Sequence, residues 1–598
     1  MSYVFRISST TSQRWCIDWG RLFQAELRGC PDRVAEEETM KTKKFTLLIA
    51  MSLFCALAMP VWTAAKDDPK PTVRQAVTFD VSPPLRELAQ PPVSHRYILQ
   101  EPAPRRPMPH HGATSGPIVD QVEQTSVTGV ANYSVGLNLQ GLIDKQNLPL
   151  NQHEFIPASQ SVAVGDTQIF QSVNIIYEVL DKNTGNVVAG PFNGASLWTG
   201  FGGPCEASGV YGSFDPTAQW DKAAHRWFMA YNTHDAPYYA CIAVSTTPDA
   251  TGSYYRFAYS LGDSPGMDTT RFGTWTTSYG EVMSTGNDVE YTGPQVCVYE
   301  RAKILAGDSA AQQVCFQLSN DGYYLLPADI DSNLAPPAGQ DQFFIGSVGA
   351  VDNSHLSLYS VHIDWSNPGG ATITGDHNSQ LVAIPAFTPA CNGTYYGFCV
   401  PEPGGHVLES DGDNVMYRFA YWEDQPVVSA KATPPKPLPS QHWYVNFDVT
   451  ASGGQNAPRW LEFTAPIKKV APTDLHLFQS GTYAPDSTSR WMGSMTRDKA
   501  GDVLLGYNIS SASMYPSVAV AGRTVADPLG TLEPEVLVFS GTGSMNATEN
   551  IWGHHSDMAI DGSDGCTFWY TQEYYTTDFP PIFAFYTRIA SFKFSNCH

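Results

Sequence analysis

Six residues in the C-terminal part of the chain carry side chains that could bind a ligand. Arg418 and Arg490 each stand beside aromatic residues. Each guanidinium could therefore face a funnel-shaped ligand site or stack on an aromatic side chain. The aromatic and imidazole members of the set are Trp491, Trp552, His554 and His555. Aromatic platforms with polar neighbours suit sugars and peptide side chains, so these six form the candidate ligand-binding set. Ordinary packing between sheets is the alternative.

Two acidic turns could hold a calcium ion, because each places several oxygen ligands on a tight loop. They are Asp411–Asn414 and Asp561–Gly565. Neither continues into a twelve-residue loop that ends in glutamate, so we predict structural turns and no cofactor, with a structural calcium as the alternative. The sequence carries no zinc-protease, nucleophile-elbow, phosphate-loop or dinucleotide motif. No catalytic residue is assigned from these patterns.

A repeated strand–turn–strand unit must position these residues. It reads DKAAHRWFMAY at 221–231, DGDNVMYRFAY at 411–421, DKAGDVLLGY at 498–507 and DGSDGCTFWY at 561–570. Each copy opens with an aspartate that can hydrogen-bond a turn, and continues as an apolar and aromatic strand ending at tyrosine. One module used many times predicts a repeat architecture.

Weaker copies fill the intervals, which gives seven anchors near residues 166, 221, 275, 352, 411, 498 and 561. The anchors are 54 to 87 residues apart, as in propeller repeats lengthened by loop insertions. We therefore predict an all-β fold, a single β-propeller of about seven four-stranded blades. Six or eight blades, or the hairpins of a sandwich, are the alternatives. The one helix predicted is short and starts at Glu300, in ERAKILAG.

The N-terminal part divides into three segments before the propeller. A basic, then apolar, then small-residue stretch at 40–65 is typical of a secretory signal peptide, so we interpret 1–39 as a mis-called upstream extension and Met40 as the start. Residues 66–129 are rich in proline and predict a disordered linker. The propeller then spans 130–598. The protein is predicted to be secreted, extracellular or periplasmic.

Eight cysteines follow the signal segment, and an even number in an exported chain predicts disulfides. They are Cys205, Cys241, Cys297, Cys315, Cys391, Cys399, Cys566 and Cys597. Pairing of nearest neighbours along the chain is the arrangement we expect, since each pair would then lie within one blade or between adjacent strands. A zinc site is disfavoured because no Cys-x-x-Cys occurs.

Long segments of the chain also resemble a known group of proteins. The residues that carry the resemblance include Gly481–Leu532, Ile551–Tyr575 and Thr587–Cys597, and it extends over nearly all of 155–597. The chain resembles an uncharacterised family of secreted bacterial proteins, which implies an exported β-propeller that is distantly sialidase-like. His554-His555-Ser556 stand where that family often has Asp-Tyr-Ser.

Two of the turns approximate the Asp-box of sialidases, namely Asp498 with Gly501 and Asp564 with Phe568. That motif is structural and supports the fold more than the activity. Sialidase chemistry needs three arginines, a tyrosine nucleophile with its glutamate, and an aspartic acid. Phe155-Ile156-Pro157 stands where the first arginine would open an Arg-Ile-Pro motif. The residues therefore favour the sialidase architecture over sialidase catalysis.

The function predicted is a binding or interaction module at the cell surface or outside the cell, with a glycan or a protein as ligand. The alternative is a sialidase-like glycoside hydrolase that uses the propeller funnel. An enzyme should gather two or three carboxylates and two arginines at the funnel, whereas a binder should present aromatic and neutral polar groups. A net charge of −23 disfavours nucleic acid as a partner. We also predict a monomer, with no transmembrane segment in the mature chain.

Overall fold

A computed structural model describes residues 68–88, 99–100, 118–151, 155–207, 215–233, 236–262, 267–286, 291–348, 352–393, 397–412, 414–424, 440–545, 551–576 and 585–598. The predicted upstream extension (1–39) and signal peptide (40–65) lie outside these residues. Within them the chain is almost entirely β-structure, arranged in seven mainly antiparallel units of four or five strands around one axis. The inner strands of the fourth and fifth units also pair in parallel, which joins these two units into one ten-stranded sheet.

The seven sheets are the blades of a propeller, numbered here in chain order. From the axis outward, their strands are as follows: blade 1, Ser161–Val164, Gln168–Val173, Ile176–Asp181 and Val187–Asn193; blade 2, Thr217–Asp221, Arg226–Asn232, Tyr238–Ser245, Tyr254–Gly262 and Thr78–Val81; blade 3, Met267–Thr274, Ser278–Gly286, Tyr291–Glu300, Gln312–Gln317 and Thr72–Gln75; blade 4, Gly322–Ile330, Gln342–Val348, His355–His362, then Thr372–Thr374 and Leu381–Ala383; blade 5, Val415–Glu423, Ser440–Thr450, Asn456–Pro466, His476–Tyr483 and Glu123–Gln124; blade 6, Ser489–Arg497, Val503–Ser511, Met514–Arg523 and Val536–Phe539; blade 7, Asp557–Ile560, Thr567–Tyr574, Tyr586–Phe594 and Tyr133–Ile143. The predicted all-β propeller of about seven blades is confirmed.

The ring is closed by exchange of a strand between the two ends of the propeller. Each inner strand neighbours the inner strand of the next blade, and that of blade 7 returns to that of blade 1. Tyr133–Ile143 precedes blade 1 in sequence but pairs antiparallel with Tyr586–Phe594 as the outermost strand of blade 7. Hydrogen bonds between the first and last strands therefore hold the ring shut.

Apolar side chains fill the space between neighbouring blades. Separate buried clusters lie between blades 1 and 2, 2 and 3, 3 and 4, 4 and 5, and 7 and 1, and one larger cluster joins blades 5, 6 and 7. Both faces of each inner sheet region are thus covered, which explains the continuous apolar and aromatic runs after each polar turn. Burial of this surface is the main stabilising contribution to the fold.

Five of the seven sequence anchors lie at the same corner of their blades. The anchors near 166, 221, 275, 498 and 561 form the turn between the inner and second strands of blades 1, 2, 3, 6 and 7. The anchor at 352 instead precedes the third strand of blade 4, and the one at 411 precedes the inner strand of blade 5. The aspartates hold the turns as expected, since Asp498 accepts hydrogen bonds from the amides of Ala500 and Asp502.

The described part of the N-terminal arm at 68–88 contains strands, whereas its composition predicts a disordered linker. Thr72–Gln75 pairs with the outer strand of blade 3, and Thr78–Val81 pairs with the outer strand of blade 2. Arg256 anchors this arm by two hydrogen bonds to the carboxylate of Asp80 (2.8 and 2.5 Å). An outer edge supplies the hydrogen-bond partners that the isolated arm lacks, so its order depends on the tertiary structure.

The remaining elements are short. Helical turns span Asn147–Asn151, Pro204–Ala207 and Arg301–Ala306, with 3-10 turns at Leu85–Glu87, Asp144–Gln146, Gly194–Trp198, Pro368–Gly370, Asp376–Asn378, Ala390–Gly393 and Pro472–Asp474. Two small pairings complete the list of strands: Phe398–Pro401 with Val407–Glu409, and Leu99–Gln100 with Phe155–Ile156. The helix predicted after Glu300 is confirmed, and Gly307 ends it at φ 65°.

All eight cysteines form disulfides with their nearest neighbours along the chain, as predicted. The pairs are Cys205–Cys241, Cys297–Cys315, Cys391–Cys399 and Cys566–Cys597. Cys566–Cys597 joins the first turn of blade 7 to the segment after its third strand. The bridges staple individual blades and their connections, while the strand Tyr133–Ile143 closes the ring.

The loop lengths predict how much each bridge stabilises the fold. Replacing Cys205 and Cys241 together by serine should lower the free energy of unfolding by about 4 kcal/mol, because this bridge closes 36 residues. The matched change at Cys391 and Cys399, which closes 8 residues, should cost about 2.5 kcal/mol. Urea denaturation of the two double variants measures the difference. An equal loss in both would contradict an effect set by chain entropy.

Candidate functional site

The two ends of the ring are chemically different. All inner strands begin at one end, here called the N face, and end at the other, here called the C face. The turns after the inner strands meet at the C face, and the segments that lead into the inner strands meet at the N face. Between the faces, the inner strands direct polar side chains toward the axis.

A buried ionic cluster, here called the axial cluster, lies where the inner strands meet. Arg418 of blade 5 donates from Nε to Asp329 Oδ2 (2.7 Å) and from both Nη atoms to Asp331 (3.0 and 2.9 Å). Lys222, which follows the inner strand of blade 2, donates to Asp331 Oδ1 (3.0 Å). Thr496 of blade 6 donates to Asp331 Oδ2 (2.5 Å). A single carboxylate thus connects blades 2, 4, 5 and 6.

Blades 1, 3 and 7 join the same network. Asp557 of blade 7 accepts hydrogen bonds from Ser161 Oγ and from the amide of Val162, both in blade 1 (2.9 Å each). The amide of Thr274 in blade 3 donates to Asp329 Oδ1 (2.8 Å). Arg418 Nη1 also donates to the carbonyl of Met558, next to Asp557 (2.8 Å). Every blade therefore contributes a bond to the axis.

The cluster separates its aspartates into different protonation states. Burial alone would raise the pKa of Asp331, but Arg418 and Lys222 hold it below its ordinary value. Burial raises the pKa of Asp329, and Arg418 offsets part of that shift. Burial raises the pKa of Asp557 to about 7, with only partial compensation by Arg418. An ionised Asp331 and a carboxyl that titrates near neutrality thus lie in one cluster.

The axial cluster is closed to any ligand larger than water. The cavity beside it measures about 20 Å³ and is lined by Asp329, Asp331, Arg418, Asp557 and Lys222 among others. That volume suits one water molecule. Oδ1 of Asp557 faces no hydrogen-bond partner among the described residues. In this structure the cluster holds the blades together, and a substrate cannot reach it.

An open cleft of about 440 Å³, here called the C-face cleft, lies above the axial cluster. Trp220, Lys222 and Ile330 line both this cleft and the small cavity beside the axial cluster. The other lining residues come from the turns of five blades: Asp166, Asp221, Ala223, His225, Thr274, Trp275, Thr276, Arg301, Ser332, Asn333, Leu334, Ala335 and Gly562. The volume falls within the range of small-molecule sites.

The charges that line the C-face cleft are paired with one another. Arg301 donates to both oxygens of Asp221 (2.6 and 2.7 Å). His225 Nδ1 lies 2.8 Å from Asp166 Oδ2, and both side chains are exposed. Trp220 packs against Trp227, with ring centroids 4.7 Å apart. The cleft therefore offers an aromatic wall, neutral polar groups and fixed ion pairs.

The structure separates the two arginines of the predicted ligand-binding set. Arg418 lies in the axial cluster. Arg490 is fully buried near the start of blade 6, where it pairs with Asp486 and Glu535 and lies over the ring of Tyr483 at 5.5 Å. Each guanidinium is thus neutralised within the protein, which corrects the expectation that both face a ligand funnel.

The aromatic and histidine members of the set lie near the N face. Trp491 and Trp552 are fully buried, contact each other at 5.4 Å and pack between blades 6 and 7. Their burial corrects the expectation of an exposed aromatic patch. His555 is 2% exposed, whereas His554 is partly exposed. Of the six candidates, the histidines remain placed where a ligand at one mouth of the ring could reach them.

The sequence patterns did not identify the cluster residues Asp329, Asp331, Asp557 and Lys222. Asp221 and Lys222 belong to a repeated turn whose aspartate was interpreted as a turn-former only. Asp329 and Asp331 follow an apolar strand in the run PADIDS. Alternate acidic residues at a strand end are the signal that could have indicated an axial site.

Asp413, in one of the two acidic turns considered for calcium, lies outside the described residues, so only the rest of these turns can be compared with a metal centre. Asp561 pairs with Lys182 Nζ at 3.0 Å, so a cationic side chain occupies its carboxylate. Across the described ranges, no three or more His, Cys, Asp or Glu side chains form a group that could hold a metal. Among the same residues, no helix is long and apolar enough to cross a membrane.

Comparison with known proteins adds little to this geometry. No protein-family model and no curated protein matches the chain. Solved structures align with it at low similarity. A protein of unknown function from Dyadobacter fermentans is 9% identical, with 63% of this chain and 94% of that chain covered and a TM-score of 0.29, and the catalytic domain of a GH62 α-L-arabinofuranosidase from Coprinopsis cinerea is 10% identical, with 63% and 90% covered and a TM-score of 0.24. An exo-β-1,3-galactanase from Clostridium thermocellum is 11% identical, with 69% of this chain and 87% of that chain covered and a TM-score of 0.26. Scores this low transfer no activity to the chain. The propeller assignment rests on its own seven sheets.

The axial cluster predicts a large cost for losing its arginine. Arg418→Met should lower the free energy of unfolding by about 3–5 kcal/mol, because two buried carboxylates lose their partner. Arg226→Met is the matched control, since the guanidinium of Arg226 bonds only to the carbonyls of Ala224 and His225. Chemical denaturation compares the two variants. Similar losses in both would contradict a cluster that holds the blades together.

The raised pKa of Asp557 predicts a specific pH dependence. Between its unfolded pKa of about 4 and its folded pKa of about 7, the folded state binds the proton more tightly, so its contribution to stability falls as pH rises. The stability of wild type relative to Asp557→Asn should therefore decrease by up to about 4 kcal/mol from about pH 4 to about pH 8. Asp564→Asn is the control and should give a flat difference above about pH 5, because the pKa of Asp564 is lowered.

Proposed function

We propose that the protein is an exported β-propeller that binds a saccharide in the C-face cleft without transforming it. The observation that carries this proposal is the contrast between a cleft of about 440 Å³ and buried carboxylates whose neighbouring cavity measures only about 20 Å³. Four disulfides support export to an oxidising compartment.

The lining of the C-face cleft supports a saccharide as the class of ligand. Trp220 supplies an aromatic edge, while Thr276, Ser332 and Asn333 supply neutral donors and acceptors. The ion pair Asp221–Arg301 and the hydrogen-bonded pair Asp166–His225 hold oriented polar groups in the cleft. Sugar hydroxyls both donate and accept hydrogen bonds, so they match such a mixed surface.

A second candidate function is glycan hydrolysis, favoured by one observation in the axial cluster. A carboxyl of pKa about 7 beside an ionised carboxylate is the combination that acid–base hydrolysis of glycosides uses. Asp557 would serve as the acid and Asp331 as the ionised partner. Lys222 would have to move for a glycosidic bond to reach them, since its ammonium holds Asp331 from the side of the cleft.

A glycan array followed by calorimetry on the purified protein tests the binding proposal. A saccharide that binds wild type should bind His225→Ala and Trp220→Phe about tenfold or more weakly, because each change removes a polar or aromatic contact of the cleft. Phe478→Ala is the control, since Phe478 is 50% exposed on the outer strand of blade 5. Saccharide binding that survives the cleft changes would refute this site.

The same glycans, assayed for cleavage, separate the two candidate functions. Binding without release of products supports the binding module. Hydrolysis that is lost in Asp557→Asn but retained in Asp564→Asn would favour the enzyme and place its acid in the axial cluster.

A further inference from the structure

The N face carries a buried arginine without a carboxylate partner. Arg271, on the inner strand of blade 3, is 5% exposed. Its Nη1 donates to the carbonyl of Thr270 (2.8 Å), and its side chain forms no other hydrogen bond and no ion pair with the described residues. None of its nitrogens is among the side-chain atoms of the described residues that are fully buried without a partner, so its Nε and Nη2 stay accessible to solvent or to a ligand. The arrangement is explained if an anion from outside the chain completes it.

Other buried arginines of this protein show the usual solution. Arg256, Arg418, Arg459, Arg490 and Arg497 each pair with an aspartate or glutamate. Arg523 resembles Arg271 in lacking a carboxylate, but it lies in the third strand of blade 6, away from the axis. Arg271 is thus distinguished by position, because it is the unpaired guanidinium on an inner strand among the described residues.

His555 forms the second element of the site. It leads into the inner strand of blade 7, and its Nδ1 is buried without a hydrogen-bond partner among the described residues. Its ring lies edge-on to Tyr417, with centroids 5.6 Å apart, and Arg271 interacts with it electrostatically. Burial and the neighbouring Arg271 lower the pKa of His555 well below its usual range, so the free imidazole is neutral. It can donate or accept a hydrogen bond.

Three side-chain oxygens without hydrogen-bond partners lie on the segments that lead into the inner strands of blades 1 and 2, and one of their residues contacts His555. Gln160 donates to the carbonyl of His555 (2.9 Å), while its own Oε1 is buried and unpartnered. Ser159 Oγ, next along the chain, is also unpartnered. Asp215 Oδ1 is a third such atom. The backbone amide of Asp215 donates to Asn174 Oδ1, and the backbone amide of Asn174 donates to the carbonyl of Ala158, so Asp215 is linked to the segment next to Ser159. Native proteins leave few such atoms unpaired, so a cluster of them indicates a ligand.

The backbone at this face is strained at the same positions. Ser159 and Asp215, which lead into the inner strands of blades 1 and 2, have φ of 42° and 45°. Met492, in the inner strand of blade 6, has φ of 55°. Non-glycine residues in this conformation cost free energy and cluster at ligand sites. The strained residues therefore lie at the same end of the axis as the unpaired polar groups.

We propose that the N face holds a second binding site, for a small sugar acid, in which Arg271 and His555 bind the carboxylate. The acceptors Ser159 Oγ, Gln160 Oε1 and Asp215 Oδ1 would receive hydrogen bonds from the hydroxyls. The class follows from the chemistry, since the guanidinium favours an anion, the neutral imidazole can donate a hydrogen bond to it, and the acceptors need donors. The site is distinct from the C-face cleft and does not depend on the function proposed for that cleft.

Glucuronate, acetate and glucose are the probes that test this assignment. Glucuronate carries both a carboxylate and hydroxyls, acetate only the carboxylate, and glucose only the hydroxyls. Calorimetry and thermal unfolding should show that glucuronate binds wild type about tenfold or more tightly than acetate or glucose. Equal affinity for acetate would overturn the sugar-acid class, and no binding of glucuronate would overturn the site.

Variants distinguish a binding role of Arg271 from a structural one. Arg271→Met should lose glucuronate binding while its melting temperature without ligand is unchanged or higher, because an unpaired buried charge has been removed. Arg523→Met is the matched control and should retain glucuronate binding.

His555→Gln should weaken glucuronate binding about tenfold, and it keeps the test decisive if Arg271→Met does not fold. His225→Ala, in the C-face cleft, should leave glucuronate binding intact, so failure at one face is not confused with failure at the other.

Discussion

The axial ionic cluster is the constraint on which the rest of the molecule depends. Seven inner strands converge on one line, and the polar groups that they direct inward are withdrawn from water. Such groups are stable only if they neutralise and hydrogen-bond one another. Arg418 meets this requirement by bonding to Asp329 and Asp331 together, with Lys222 as a second cation. Because the partners come from different blades, the requirement also fixes how the blades are arranged around the axis.

The two faces of the ring follow from this arrangement. At the C face the turns lie over the axial cluster, and their polar side chains pair locally around a cleft of about 440 Å³. At the N face the compensation is incomplete, because Arg271 forms no ion pair and the Nδ1 of His555 has no hydrogen-bond partner among the described residues. A binding site is a place where the protein leaves such groups for a ligand to satisfy. The N face and the C face would then recognise ligands by different means, one by charge and the other by a mixed polar and aromatic surface.

Part of this structure could be predicted from sequence because it depends on local patterns. The aspartate turns and the apolar strands that follow them recur in the chain, and repetition indicated about seven blades. Nearest-neighbour disulfides also followed, since cysteines close in sequence lie within one blade or its connections, as Cys297 and Cys315 do on adjacent strands. The same local signals were misleading where the fold uses a motif differently. The turn at Asp411 resembles the turn at Asp221 in sequence. It precedes an inner strand, however, whereas the turn at Asp221 follows one, so the two turns lie on opposite faces of the ring.

The amino-acid sequence by itself determined the class of the fold, the turns and the cysteine pairs, because hydrogen bonding and hydrophobic periodicity act over a few residues. Only the tertiary structure decided which polar residues meet. Asp331 and Arg418 are 87 residues apart, and Ser161 and Asp557 are 396 apart, yet each pair is hydrogen-bonded at the axis. The tertiary structure also ordered the arm at Thr72–Val81, whose strands need the outer edges of blades 2 and 3 as partners. Closure of the ring brings distant segments together, and no spacing along the chain encodes that contact.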